Sequence, residues 1–225
     1  MNLREVCQLQ GFDTAVLTSF NFDPLFFERV VLKDLRRSGC GRILVFVDAG
    51  QALPVIDAAR GQIFALGREY QLFPVRMGGA FHPKTLLKLN QRGGVAVCGS
   101  HNLTGPGWLG LRAKDASQGN REATAIWRID PEQSSIAGAP ELLRTLRQVA
   151  SSAAASREID SILQRTALGD ASAAGGVSLL TSGPSGTLAQ QLAARWAGRR
   201  FERLRYATGS TDSRGAFLSW AAEAF

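Results

Sequence analysis

Two short apolar, β-prone runs separated by one capped helical segment constrain this fold more than any other feature. Ala15–Phe20 (AVLTSF) and Arg42–Asp48 (RILVFVD) are each the length of one buried strand. Between them, Asp23 followed by Pro24 is a helix start: a side chain that caps, then a proline where no N–H is needed. The spacing predicts a helix from Pro24 to about Arg37, with Phe27, Val30, Val31 and Leu35 on one stripe and Gly39 ending it. Residues 53–66 are the next helix candidate, with Gly61 as a weak point, and Tyr70–Arg76 reads as a third strand. Strand, helix, strand, helix, strand implies an α/β fold, a sheet with helices on its faces.

The pattern then changes to hairpins. His82–Asn90 (HPKTLLKLN) reads as a strand, Gln91–Gly94 as a turn, and Val95–Cys98 as the returning strand, which makes the sheet mixed. GSHNLTGPGW follows, too rich in Gly, Pro, Ser and Asn to continue a strand. Glu122–Ile129 alternates again and should rejoin the sheet. Helices are expected from Pro140, with Leu142, Leu143, Leu146 and Val149 in step, and over about Ser156–Thr166. Residues 1–168 therefore read as one domain, 169–176 (GDASAAGG) as a linker, and 177–225 as the start of a second, truncated repeat. The repeat rests on VSLLTS at Val177–Ser182 against TAVLTS at Thr14–Ser19, followed by a helix candidate (Thr187–Ala197), a β-prone run ending in Gly (RLRYATG), and a helical pattern over residues 215–225.

Composition removes several classes. No apolar run approaches the roughly 18 residues that a membrane span needs, and the N-terminal MNLREVCQLQGFD has no apolar segment of a signal peptide. Three cysteines (Cys7, Cys40, Cys98) are too few for a disulfide framework, so a reducing, cytoplasmic setting is expected. No G-x-x-x-x-G-K-[ST] occurs, which excludes a P-loop nucleotidase. A net charge of +7 suits a polyanionic partner, although the charge is spread, with its densest clusters at Arg36-Arg37 and Arg199-Arg200. Only four of the 26 cations are lysines, Lys33, Lys84, Lys88 and Lys114.

The chain has only two histidines, His82 and His101, and both lie in the segment FHPKTLLKLNQRGGVAVCGSHNLTGPGW. On a strand His82 and Lys84 leave the same face, and an imidazole beside an ammonium suits phosphate handling: the cation clamps oxygens while the imidazole attacks phosphorus or moves a proton. Pro83 argues against a central strand unless it lies at the strand's start. Gly99-Ser100 permits a tight turn, and Ser100 and Asn102 offer short polar donors to the same anion.

The motif His82-x-Lys84 followed by Gly99-Ser100-x-Asn102 resembles the HxK…GSxN signature of the phospholipase D-like phosphodiesterases. The continuation Asn102-Leu103-Thr104, with Asn120-Arg121-Glu122 downstream, resembles the nuclease-like prokaryotic branch. The motif spans residues 82–122, and the flanking pattern extends the similarity over about residues 14–150. One departure is Leu89, where the fuller pattern has an acid; members of the nuclease-like branch often lack it.

The resemblance implies metal-independent attack on a phosphodiester, with no cofactor. Two motifs meet at a pseudo-twofold interface; one histidine becomes the phospho-enzyme and the other protonates the leaving oxygen. Lys84, Ser100 and Asn102 would bind the nonbridging oxygens, with Gly99 in the same phosphate-binding turn, and Glu122 would orient the His82 imidazole. The single motif here would need a partner, either a second copy in cis or a homodimer mate. DNA is the favoured substrate. The competing readings are phospholipid hydrolysis or phosphatidyl transfer on the same residues, and a non-catalytic half-domain.

Other residues invite plainer readings. Cys98-x-x-His101 has metal-like spacing, but a structural zinc site needs four ligands, and only distant Cys7 and Cys40 remain. His101 occupies the variable position of GSxN and is expected to line the site at most. Trp108 is expected to pack as a lid on the domain, and Asn120 and Arg121 to be loop residues.

Overall fold

The computed structural model describes residues 2–109, 122–129, 138–166, 168, 179, 181–182, 186–200, 219, 220 and 223. The expected alternation forms a single six-stranded mixed sheet. Its strands are β1 (Thr14–Ser19), β2 (Arg42–Asp48), β3 (Gln71–Val75), β4 (Thr85–Asn90), β5 (Gly93–Gly99) and β6 (Thr124–Ile129), in the order β3-β2-β1-β4-β5-β6. β1, β2 and β3 are parallel, and β4, β5 and β6 are each antiparallel to the preceding neighbour.

The apolar runs at β1 and β2 lack polar alternation because both faces of these strands are covered. Ala15, Leu17, Ile43, Val45 and Val47 point to one core, with α1 (Leu3–Gln8) and the helical run Pro24–Arg37. Val16, Leu44 and Phe46 point to the other, under α6 (Ala139–Val149) and α7 (Ala153–Arg165). α1 precedes the first predicted strand and was not anticipated, although Asn2 and Glu5 form a reciprocal capping box at its start. Leu89, at the position where the family pattern carries an acid, is fully buried in the second core, where a carboxylate would be desolvated among apolar side chains.

The helix after Asp23 begins as predicted, with Asp23 accepting from the Phe26 amide. It is not a uniform α-helix: α2 (Pro24–Phe26) passes through a π-helical turn (Phe27–Val31) into α3 (Leu32–Arg37). The candidate helix at 53–66 instead runs as α4 (Ala49–Ala58), because Asp48 ends β2 and caps the next element by accepting from the Gln51 amide at 3.1 Å. The hairpin between β4 and β5 is tighter than expected, with only Gln91 and Arg92 between the paired Asn90 and Gly93. Gly94 is required there, since a Cβ would collide with the Lys88 carbonyl oxygen.

Two strand starts shift inward. β4 begins at Thr85 rather than His82, because Pro83 has no N–H to give to a central strand. β6 begins at Thr124, which leaves Glu122 just ahead of it.

The chain divides into two compact units, Met1–Leu179 and Leu180–Phe225. In the second, Thr187 caps α8 (Leu188–Arg195), the helix expected over Thr187–Ala197. Leu179, Thr181 and Ser182, the described part of the β-prone run at 177–182, lie in no strand. The linker at 169–176 and the RLRYATG run lie outside the described residues, as does most of 215–225. Among the described residues no helix is long and apolar enough to cross a membrane.

Candidate active site

The strand directions bring the candidate residues together. β1, β2 and β5 end at the sheet edge where β4 and β6 begin. Residues following β1 and β5, residues preceding β4 and β6, and the last residue of β2 therefore share one edge. Ligand sites in open α/β sheets commonly form at such an edge, where the strand order reverses.

His82 and Lys84 meet as the sequence predicts, although they precede the strand. The Lys84 ammonium lies 3.0 Å from Nδ1 and 3.2 Å from Nε2 of His82, and donates to the His82 carbonyl oxygen at 2.9 Å. Lys84 is buried and His82 is exposed, so a covered cation underlies an accessible imidazole. Burial, then the charge of Lys84, lowers the His82 pKa from its ordinary value near 6.5, with Asp48 opposing. The ring is thereby kept neutral, with a lone pair to use, at neutral pH. Burial also lowers the Lys84 pKa, and Glu122 pulls it back up.

The GSxN turn supplies the facing wall. Gly99 is there because a Cβ would sit 2.5 Å from the Ala123 carbonyl oxygen and 2.6 Å from Nδ1 of His101. The Ser100 hydroxyl donates to the Glu122 carboxylate in a short hydrogen bond, and its oxygen accepts from the Ala123 amide at 3.1 Å. Ser100 has one hydrogen to give, so it must turn from Glu122 before it can donate to a bound anion. Glu122 thus sits on Ser100, whereas both ring nitrogens of His82 face Lys84. Asn102 accepts at Oδ1 from the Asn21 amide (3.1 Å), with the Ser19 hydroxyl, which donates its one hydrogen to the Asn21 carbonyl oxygen (2.5 Å), 3.4 Å away. Its oxygen is committed, so the amide offers its N–H donors to a ligand. Asn120 and Arg121 lie outside the described residues.

Sequence reasoning missed what joins the two halves of the motif. The segment after β1 touches both: the Phe20 ring packs 4.7 Å from the His82 ring and 5.8 Å from the Lys84 ammonium, while the Asn21 amide holds Asn102 and the Ser19 hydroxyl holds the Asn21 carbonyl. Ser19 also accepts from the Leu103 amide at 2.9 Å. Asp48 was missed as well. Its second oxygen accepts from the Phe81 amide at 2.9 Å, tethering the segment that carries His82 to the end of β2. The available signal was an acid closing an otherwise apolar strand.

His101 is 3% exposed and packs edge-on against Trp108, with ring centroids 5.8 Å apart. Burial pushes its pKa down to about 4, with Glu122 pulling up and Lys84 adding to the fall. Trp108, on the short helix α5 (Gly105–Leu109), belongs to the first core. Among the described residues, no three His, Cys, Asp or Glu side chains converge as metal ligands would.

Three solved structures share part of this chain path at low sequence identity. NucT from Helicobacter pylori shares 10% identity over 72% of this chain and 86% of its own, with a TM-score of 0.39. Nuc from Salmonella typhimurium, described as a phospholipase D family member, shares 15% identity over 72% of this chain and 82% of its own, with a TM-score of 0.36. Polyphosphate kinase from Porphyromonas gingivalis shares 18% identity over 46% of this chain and 18% of its own, with a TM-score of 0.30. No family model matches the sequence, and no curated protein matches it.

Proposed function

We propose that this chain is the catalytic half of a phospholipase D-like phosphodiesterase that acts on nucleic acid, with His82 as nucleophile. The observation that carries the reading is the pair itself: a neutral, exposed imidazole against a buried ammonium, on the sheet edge that also holds Ser100 and Asn102. The +7 balance favours a polyanionic substrate, DNA in the first instance.

In this mechanism a His82 nitrogen attacks phosphorus, and a P–N bond forms as the P–O bond to the leaving group breaks. The departing oxygen takes its proton from a second histidine. Water then attacks the phosphohistidine and gives its proton back to that histidine, while the P–N bond breaks and His82 is restored. Lys84, the Asn102 amide and the Ser100 hydroxyl hold the nonbridging oxygens, where negative charge grows. His101 is a poor candidate for the acid, because a buried ring with a pKa near 4 carries no proton to give at neutral pH. The acid must come from a second motif, in a partner subunit or a second copy in cis, with residues 1–168 as the unit that is doubled.

Hydrolysis of bis(p-nitrophenyl) phosphate and of DNA in EDTA tests the reading. The expected result is turnover that survives the chelator and falls by about 10³-fold or more in His82→Ala. Turnover that requires a metal, or that persists in a folded His82→Ala protein, overturns it.

A further inference from the structure

A second basic feature lies apart from the His82 edge. The π-helical turn at Phe27–Val31 inserts extra residues per turn, which rotates the helix that follows it. Glu28 and Lys33, five residues apart and poorly aligned in a regular α-helix, consequently line the same cleft. That cleft has a volume of about 360 Å³, in the range of ligand-sized sites. One wall is the helix, with Lys33, Arg36 and Arg37; the other is the loop before β3, with Phe64 and Arg68.

Its acids are occupied. Glu28 accepts from the Phe64 and Ala65 amides at 3.0 and 3.1 Å and from the Tyr70 hydroxyl at 3.3 Å, and Glu69 pairs with Arg36 at 3.5 Å. Lys33, Arg37 and Arg68 are exposed and form no salt bridge among the described residues. Phe64 is 69% exposed, a costly placement for a phenyl ring, yet its own amide is pinned by Glu28 and the following residues are held by Arg68 and Glu69 amides bonding to the Ala65 carbonyl. An aromatic ring held out from a fixed loop beside three exposed cations suits stacked bases with a tracking phosphate backbone.

We infer that this cleft is a binding track for single-stranded nucleic acid, with Lys33, Arg37 and Arg68 on phosphates and Phe64 under a base. The inference rests on the nucleic-acid reading of the His82 edge and extends it. The helix starts beside that edge, where the Asp23 amide donates to the Leu103 carbonyl at 2.9 Å, and Lys33 lies about 15 Å along it. A strand of a few nucleotides spans the two.

The test is anisotropy of a labelled single-stranded oligonucleotide with the full chain, across a salt series, on a His82→Ala background so that the probe stays intact. The combined variant Lys33→Gln, Arg37→Gln, Arg68→Gln is expected to bind at least about tenfold more weakly, with a log–log salt slope reduced by about 2. Phe64→Ala is expected to lose about tenfold for single strands and little for a duplex. Unchanged affinity and slope in the combined variant overturn the track; equal loss for duplex and single strand in Phe64→Ala overturns the single-strand assignment. Turnover of bis(p-nitrophenyl) phosphate, measured with His82 intact, is expected to be unaffected by these changes. Absent turnover with the binding losses retained would break the catalytic reading and leave the track standing.

Discussion

Lys84, just ahead of β4, and Lys88, within it, are four residues apart, and both are buried with pKa values lowered first by burial. Their partners differ. Lys88 spends all three ammonium hydrogens on fixed acceptors: the Cys7 and Leu9 carbonyls at 2.6 Å each, and the Ser38 hydroxyl at 2.8 Å. It thereby pins the end of α1 to the sheet. Lys84 faces a titratable ring and the field of Glu122 at an open edge. Burial of a lysine does not mark a site; partners that a ligand can replace do.

Exchanging each lysine for methionine should split the pair. Lys84→Met is expected to lower phosphodiester turnover by about 10²–10³-fold, the scale of a lost charge stabiliser. It should also raise the His82 pKa, since a neighbouring cation is removed, so the acid limb of the pH–rate profile moves towards higher pH. A profile that stays in place would break the coupling of ring and ammonium. Lys88→Met should leave turnover per folded molecule unchanged but orphan three buried acceptors, a loss of about 3 kcal/mol in chemical denaturation. A loss of turnover at full stability would make the two lysines alike and defeat the comparison.

The histidines offer a parallel contrast. The unfolded His101 side chain binds a proton below about pH 6.5, whereas the folded one does so only near 4. Acid therefore favours the unfolded chain, and stability should fall by up to about 3 kcal/mol between those pH values. His101→Gln should flatten that part of the curve; an unchanged slope would mean that His101 is not the titrating group. The smallest effect is expected at Asp48→Ala, which removes a helix cap for about 1 kcal/mol in thermal unfolding. It also frees the Phe81 amide, so turnover should drop by about tenfold, a loosely held His82 being out of line. Full turnover would show that the tether does not position the ring.

Much of this was local, and local features are legible in a sequence. The Asp23-Pro24 start and the meeting of His82 with Lys84 each depend on residues within a turn or two of one another. The hairpin that returns Ser100 and Asn102 to the same edge is nearly as local, because Gly93 and Gly94 follow the turn directly.

What reaches across the chain was not legible. Lys84 and Lys88 look equivalent in TLLKLN until residues 50 to 81 positions away supply the carbonyls and hydroxyl that hold one of them. Ser19, Phe20 and Asn21 carry no motif, yet they join His82 to Asn102 because β1 lies beside β4 and ends where β4 begins. The π-helical turn that gathers Glu28 and Lys33 leaves no periodic trace, since its register is set by the core that the helix packs against. The sequence by itself determined the α/β class, the apolar strands and the HxK and GSxN spacings, because short-range sterics and hydrogen bonding specify the first two and the third is written in the residues themselves. Tertiary structure alone decided which polar groups share an edge, since that depends on strand order, which no local pattern encodes.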